Sequence, residues 1–203
     1  MHDAYRMPLD IGALGRALIT LALLLALAVQ PASVTAKEKA APATKRLRFQ
    51  EHGKWGYRNA QDQVVIPARF VMAEPFSSHG VAAVVIGDRW ALIDQQGKVL
   101  LRPMTSDNGP DPFQEGLARF IQDNLVGFYN PSGRVVIPAR FDFAWPFFDG
   151  TSSVCKACQK VRIGEHTTVE GGVWGMIDKK GKIIVPMRYL SPGQARNMYT
   201  IYR

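Results

Sequence analysis

The chain has 203 residues, 47% hydrophobic and 21% charged, and a net charge of +8. Such a composition excludes a disordered or collagen-like polymer and suits one globular domain. The excess of lysine and arginine sits at the two ends of the chain, not on a basic, aromatic-studded face, which argues against a nucleic-acid binder.

In chain order, residues 1–36 read as an export signal. Arg6 and Arg16 precede an apolar run of 13 residues, Ala17 to Val29, followed by Pro31 and Val34-Thr35-Ala36. A basic start, an apolar stretch and a small-residue cleavage site define a secretory signal. A retained membrane anchor is the second reading, although 13 residues at 1.5 Å rise reach about 20 Å, short of the ~30 Å hydrocarbon core. The expected location is periplasmic or secreted, with membrane contact only through this segment or through weak electrostatic attraction. Residues 37–48 read as a basic, flexible linker, and 49–203 as the folded domain.

That domain is repetitive. Lys54-Trp55-Gly56-Tyr57 leads to Val64-Val65-Ile66-Pro67, Arg89-Trp90-Ala91-Leu92 to Val99-Leu100-Leu101 and Pro103, Val126-Gly127-Phe128 to Val135-Val136-Ile137-Pro138, and Val173-Trp174-Gly175-Met176 to Ile183-Ile184-Val185-Pro186. From Trp55, Trp90, Val126 and Trp174 to the following Pro the interval is 12, 13, 12 and 12 residues. A fixed period means one supersecondary unit stacked on copies of itself, since a single unit cannot bury its own apolar face. The units span roughly 53–87, 88–122, 123–170 and 171–203.

Each unit predicts a strand carrying the Trp, a turn, and a β-branched strand ended by Pro67, Pro103, Pro138 or Pro186, which cannot donate to a ladder. In the turns Asp94 to Lys98, Asn130 to Arg134 and Asp178 to Lys182, an Asx opens and Gly97, Gly133 or Gly181 supplies a positive φ. Repeat one places Asp62 at the glycine position. A second landmark, Pro75-Phe76 to Gly80, Pro112-Phe113 to Gly116 and Pro146-Phe147 to Gly150, precedes a third strand. Tyr199 to Tyr202 falls at the matching distance after Pro186 and reads as the third strand of a degenerate fourth repeat. No 3.6-residue apolar period follows Ala36, so the expectation is all-β: four tandem repeats of three antiparallel strands, solenoid- or propeller-like. The tryptophans Trp55, Trp90 and Trp174 are the expected core pegs.

These motifs (Trp-Gly, Asp-x-x-Gly-Lys, hydrophobic-Ile-Pro and Phe-x-Glu-Gly) resemble the WG-repeat, or KWG-type, family of bacterial proteins from about Phe49 to Pro186. Ala91 and Val126 depart from the Trp-Gly pattern, and only Glu115 keeps the last Glu. The resemblance implies an exported β-repeat binding scaffold and no catalytic residues.

Several constellations remain. Repeat three carries 14 extra residues between Gly150 and Trp174, read as a hairpin lengthened by about seven residues per arm around Gly164-Glu165-His166. Cys155 and Cys158 lie in it. A turn at Lys156-Ala157 would let them form a disulfide, a straight strand would leave two thiols, and metal or redox roles lack the needed context. His52, His79 and His166 sit in no nucleophile motif. Asp107, Asp111 and Glu115 do not have EF-hand spacing, so neither a metal nor a cofactor is expected. Arg69, Arg140 and Arg188 recur two residues after a repeat Pro, either gripping an anionic polymer or tying repeats together over aromatic rings. Trp145 and Phe148 occupy the densest aromatic stretch and are candidates for contact. The leading expectation is a non-enzymatic module for a protein partner. The alternatives are a cell-envelope glycan binder using Trp145 and the arginines, or an enzyme whose site has no recognisable motif.

Overall fold

The structure is a computed structural model and describes residues 45–106 and 108–202. The export segment, most of the linker and Asp107 lie outside the described residues. The described residues form four small antiparallel sheets of three or four strands and one two-stranded ribbon, consistent with the all-β expectation. The first contains β1 (Leu47–Glu51), β2 (Lys54–Arg58) and β3 (Val64–Phe70); the second contains β4 (Met72–Ala73), β5 (Ala82–Ile86), β6 (Arg89–Ile93) and β7 (Val99–Leu101). A two-stranded ribbon, β8 (Thr105–Ser106) and β9 (Gly109–Pro110), precedes the third sheet of β10 (Ala118–Gln122), β11 (Leu125–Tyr129) and β12 (Val135–Phe141). The fourth holds β13 (Phe143–Ala144), β14 (Thr151–Ile163), β15 (His166–Asp178) and β16 (Ile183–Tyr189), and the chain then forms a helix, α1 (Pro192–Tyr202).

Each sheet after the first straddles two sequence repeats. The strand after the Phe-Gly landmark forms a hairpin with the Trp strand of the next repeat, as β5 does with β6 (Val85 opposite Trp90). Two-residue turns make that pairing local, so it precedes any longer-range contact in chain distance. The first sheet needs a strand from upstream, and β1 supplies it. Leu47 and Arg48 therefore belong to the fold, correcting their assignment to the linker.

The Asx turns form as expected. The Asn59, Asp94, Asn130 and Asp178 Oδ1 atoms each accept backbone N–H bonds from residues two and four places on. Asp62 holds φ 65° at the place where Gly97, Gly133 and Gly181 hold 77–82°.

Stacking follows chain order. The Gly97 turn packs on Ile66, the Gly133 turn on Leu92 and Leu100, and the Gly181 turn on Ile137. The aromatic pegs differ from expectation. Trp174 is buried, but Trp55 and Trp90 are only half-buried, and the fully enclosed rings among the described residues are Tyr57, Phe70, Phe120, Phe128, Tyr129, Phe141 and Phe147. The residue two places after the Trp is the deeper one, because the Trp lies near a hairpin tip where less chain covers it.

The C-terminal segment is a second correction: Tyr199 to Tyr202 is helical, not a strand. Ser191 caps α1, accepting from the Gln194 N–H at 3.2 Å, while Gln194 accepts from Leu190 N–H at 3.0 Å. Ser-x-x-Gln with Pro192 at the first helical place is a capping signature. Ala195, Met198 and Tyr199, at i, i+3 and i+4, pack against the cluster holding Trp174 and Met176. The helix thereby covers the apolar face of the fourth sheet, in the manner of a cap on a repeat array.

Candidate binding surfaces and a groove between repeats

The candidate arginines are occupied by the scaffold. Arg69 lies 5.2 Å from the Phe70 ring and donates to the Gly97 carbonyl at 2.8 Å. Arg140 stacks 5.0 Å from Phe141 and donates to the Gly181 carbonyl. Arg188 stacks 5.6 Å from Tyr189 beside a cleft of about 190 Å3 formed with α1. The first two act as ties between successive repeats, and the three do not converge on one site.

The acidic cluster is not assembled as a cation site among the described residues. Asp111 is buried with both carboxylate oxygens bound to Arg119, at 2.6 and 3.0 Å, and Arg119 also donates to the Ala144 carbonyl at 2.9 Å. Glu115 accepts from the Gly150 N–H at 3.1 Å and lies 3.6 Å from the Lys179 ammonium. Glu115 thus ties repeat two to repeats three and four, while Asp111 holds Arg119 in place for its bond to repeat three.

Trp145 and Phe148 are open, at 47% and 70% exposure, while their neighbours Phe143, Ala144 and Phe147 are buried. Trp145 is held by an edge contact to Phe143 at 5.1 Å, and Arg196 of α1 sits 5.8 Å from the Phe148 ring. The adjoining hairpin, β14 with β15, pairs from Thr151–Asp178 out to Ile163–His166. Its outer part runs beyond the reach of β13 and β16, which pair only near its base. It projects as a two-stranded arm with Ile163 exposed near the tip. At the base of the arm the ladder skips Ala157 and Gly172, both at positive φ, and Ala157 N–H donates to Asp142. This kink, not an isolated turn or a straight strand, brings the Cys155 and Cys158 Cα atoms to 6.1 Å, and their sulfurs are bonded.

A feature absent from the sequence reading lies between repeats two and three. In the first, third and fourth sheets, the second strand of the repeat runs seven residues, and Phe70, Phe141 and Tyr189 end opposite Trp55, Val126 and Trp174. To do so the strand arches over Gly56, Gly127 or Gly175. A Cβ on these glycines would lie 2.6, 2.6 and 2.5 Å from the carbonyl oxygens of Ile66, Ile137 and Val185. Repeat two has Ala91 there. Its methyl group forbids the arch, and β7 stops at Leu101, having paired only with Leu92 and Ile93.

The chain then crosses at once to the third sheet. Pro103 bridges Phe120, and Ile121 N–H donates to the Arg102 carbonyl at 3.0 Å. In repeat one the equivalent crossing waits until Met72 and Ala73. Register also corrects the motif: Leu101 matches Ile66, so Arg102, not Pro103, holds the place of Pro67.

The vacated space is a groove of about 870 Å3 between the β5–β6 and β10–β11 hairpin tips. Trp90, Arg102, Ile121 and Gln122 line it together with the charged side chains of Arg89 and Asp123. Arg102 Nη1 is shielded and has no hydrogen-bond partner among the described residues.

Beneath the groove lies Tyr129, buried beside Phe120 and Phe113. Burial, helped by the Asp111 charge, pushes its phenol up to about 12. Tyr57, at the matching depth in the first sheet, is also raised by burial and donates to the Glu74 carbonyl at 2.7 Å.

No curated protein and no solved structure matches this chain. A family model described as "WG containing repeat" matches residues 55–90, 90–125, 127–157 and 174–189. Those matches follow the four hairpin units and break where the arm departs from the period, and the chain belongs to the WG-repeat family.

Proposed function

We propose that this protein is an exported, non-enzymatic binding module whose partner is a protein, engaged by the Trp145–Phe148 loop and the adjoining arm. One observation carries the reading: large aromatic side chains stand open beside a projecting hairpin, while most other rings in the domain are enclosed. Exposed aromatics at the edge of a rigid scaffold are the usual energetic anchors of protein interfaces. The Cys155–Cys158 bond at the base of the arm supports residence in an oxidising compartment and fits the export signal. Photo-cross-linking residues placed at Phe148 and Ile163 of the full chain, in its native host, test the proposal. The expected result is an adduct to the same envelope protein from both positions and none from Gln61. Equal labelling at all three positions would sink it.

A second reading, an envelope glycan binder, draws on the half-open indole of Trp145, which can stack on a sugar ring. It predicts retention on insoluble cell-wall material that Trp145→Ala abolishes while the protein adducts persist.

A further inference from the structure

The groove between repeats two and three is independent of Trp145 and the arm. We infer that it is a docking site for an extended peptide segment of a partner protein, one that presents an aromatic side chain to Trp90 and an acceptor oxygen to Arg102. The sibling repeats show what fills this space. There the chain's own extended segment, Pro67-Ala68-Arg69-Phe70, Pro138-Ala139-Arg140-Phe141 or Pro186-Met187-Arg188-Tyr189, arches across and sets a ring opposite the Trp position. Repeat two has the same β6 strand with Trp90 in place, but β7 pairs no further than Leu92. Trp90 thus lacks the cross-strand aromatic that Trp55 has in Phe70.

The polar side of the groove fits the same occupant. Arg102 lines the groove, and its Nη1 has no acceptor among the described residues; a rotation of the guanidinium toward the groove pairs that donor with a ligand oxygen, relieving the cost of leaving it unmatched. The repeats also lose a tie at this junction. Arg69 and Arg140 reach the Gly97 and Gly181 carbonyls of the following turns, whereas Met104 stands three residues past Leu101, and no arginine among the described residues bonds to the Gly133 turn. A groove of about 870 Å3 holds a few extended residues. The walls carry charges of both signs, Arg89 and Arg102 as well as Asp88 and Asp123, so a neutral peptide backbone offering both N–H donors and carbonyl acceptors is matched better than a uniformly charged polymer. Extended segments docking beside an incomplete strand edge are a recurrent mode of peptide recognition.

The test selects random heptapeptides displayed on phage against the immobilised full chain. Winners are then titrated by fluorescence anisotropy against the full chain and its Trp90→Ala, Arg102→Ala and Trp145→Ala variants. Winners are expected to share an aromatic residue, to lose about ten-fold or more in affinity with Trp90→Ala and Arg102→Ala, and to bind Trp145→Ala unchanged. Their addition should move the backbone amide signals of Arg89, Trp90 and Gln122 in heteronuclear spectra. If Trp90→Ala melts early, Arg102→Ala decides alone. Four results would overturn the proposal: no enriched peptide, winners indifferent to both groove substitutions, a groove answering only to an oligosaccharide such as chitohexaose, or a dimer that Arg102→Ala dissociates.

Discussion

The junction between repeats one and two is closed and the junction between repeats two and three is open, although both are built from the same parts. In the closed junction Phe70 covers Trp55, and Arg69 bonds to the Gly97 turn. In the open one β7 ends early, no arginine among the described residues bonds to the Gly133 turn, and Arg119, paired with Asp111, crosses to the Ala144 carbonyl instead. One methyl group separates the two arrangements. Gly56 lets a backbone pass within van der Waals contact, whereas Ala91 does not. A repeat scaffold can therefore acquire a groove without changing its core, because each unit depends only on its neighbours.

The largest expected effect lies away from either junction. Trp174→Ala removes a buried indole and should cost about 3–5 kcal/mol in a denaturant titration, while the half-buried Trp90 should cost under about 1.5 kcal/mol when truncated. Equal losses would mean that the groove is filled in solution. Next comes alkaline pH. The Tyr129 phenol keeps its proton in the folded state up to about 12 against 10.0 when unfolded. The associated stability is complete below pH 10 and is lost as pH rises toward 12, by roughly 2–3 kcal/mol. Absorbance at 295 nm should show tyrosine ionisation coinciding with unfolding. Ionisation of Tyr129 near pH 10 in a still-folded chain would contradict its burial.

Gly127→Ala transfers the open-junction residue into a closed repeat and should cost about 1–3 kcal/mol through overpacking. The reverse change, Ala91→Gly, should stay within about 1 kcal/mol, the ordinary backbone penalty. Thermal melts of both variants decide whether the methyl is the cause of the opening. The smallest effect is the tie itself: Arg140→Ala should cost about 1 kcal/mol, and Met104→Ala should lose no such bond. Double-mutant cycles pairing each with a substitution in the following turn measure that difference.

Much of the scaffold was legible because it rests on local chemistry. The Asx turns, the positive φ at Asp62 and the lengthened hairpin depend on residues within a few positions of one another, and all are present in the fold, whereas the strands expected to end at Pro67, Pro138 and Pro186 run on past them to Phe70, Phe141 and Tyr189. Two local signals were missed. Ser191-Pro192-Gly193-Gln194 announces a helix, but the repeat phase favoured a strand over it. Arg102 was hidden because the nearby Pro103 seemed to satisfy the motif one residue late.

The sequence by itself determined the repeat, its turns and its β character, since each follows from backbone preferences inside a single unit. Only the tertiary structure decided which strands share a sheet, what caps the last one, and where the array opens. Those outcomes depend on how closely one backbone can approach another, and at Ala91 that distance is limited by a single carbon atom whose neighbours come from elsewhere in the fold.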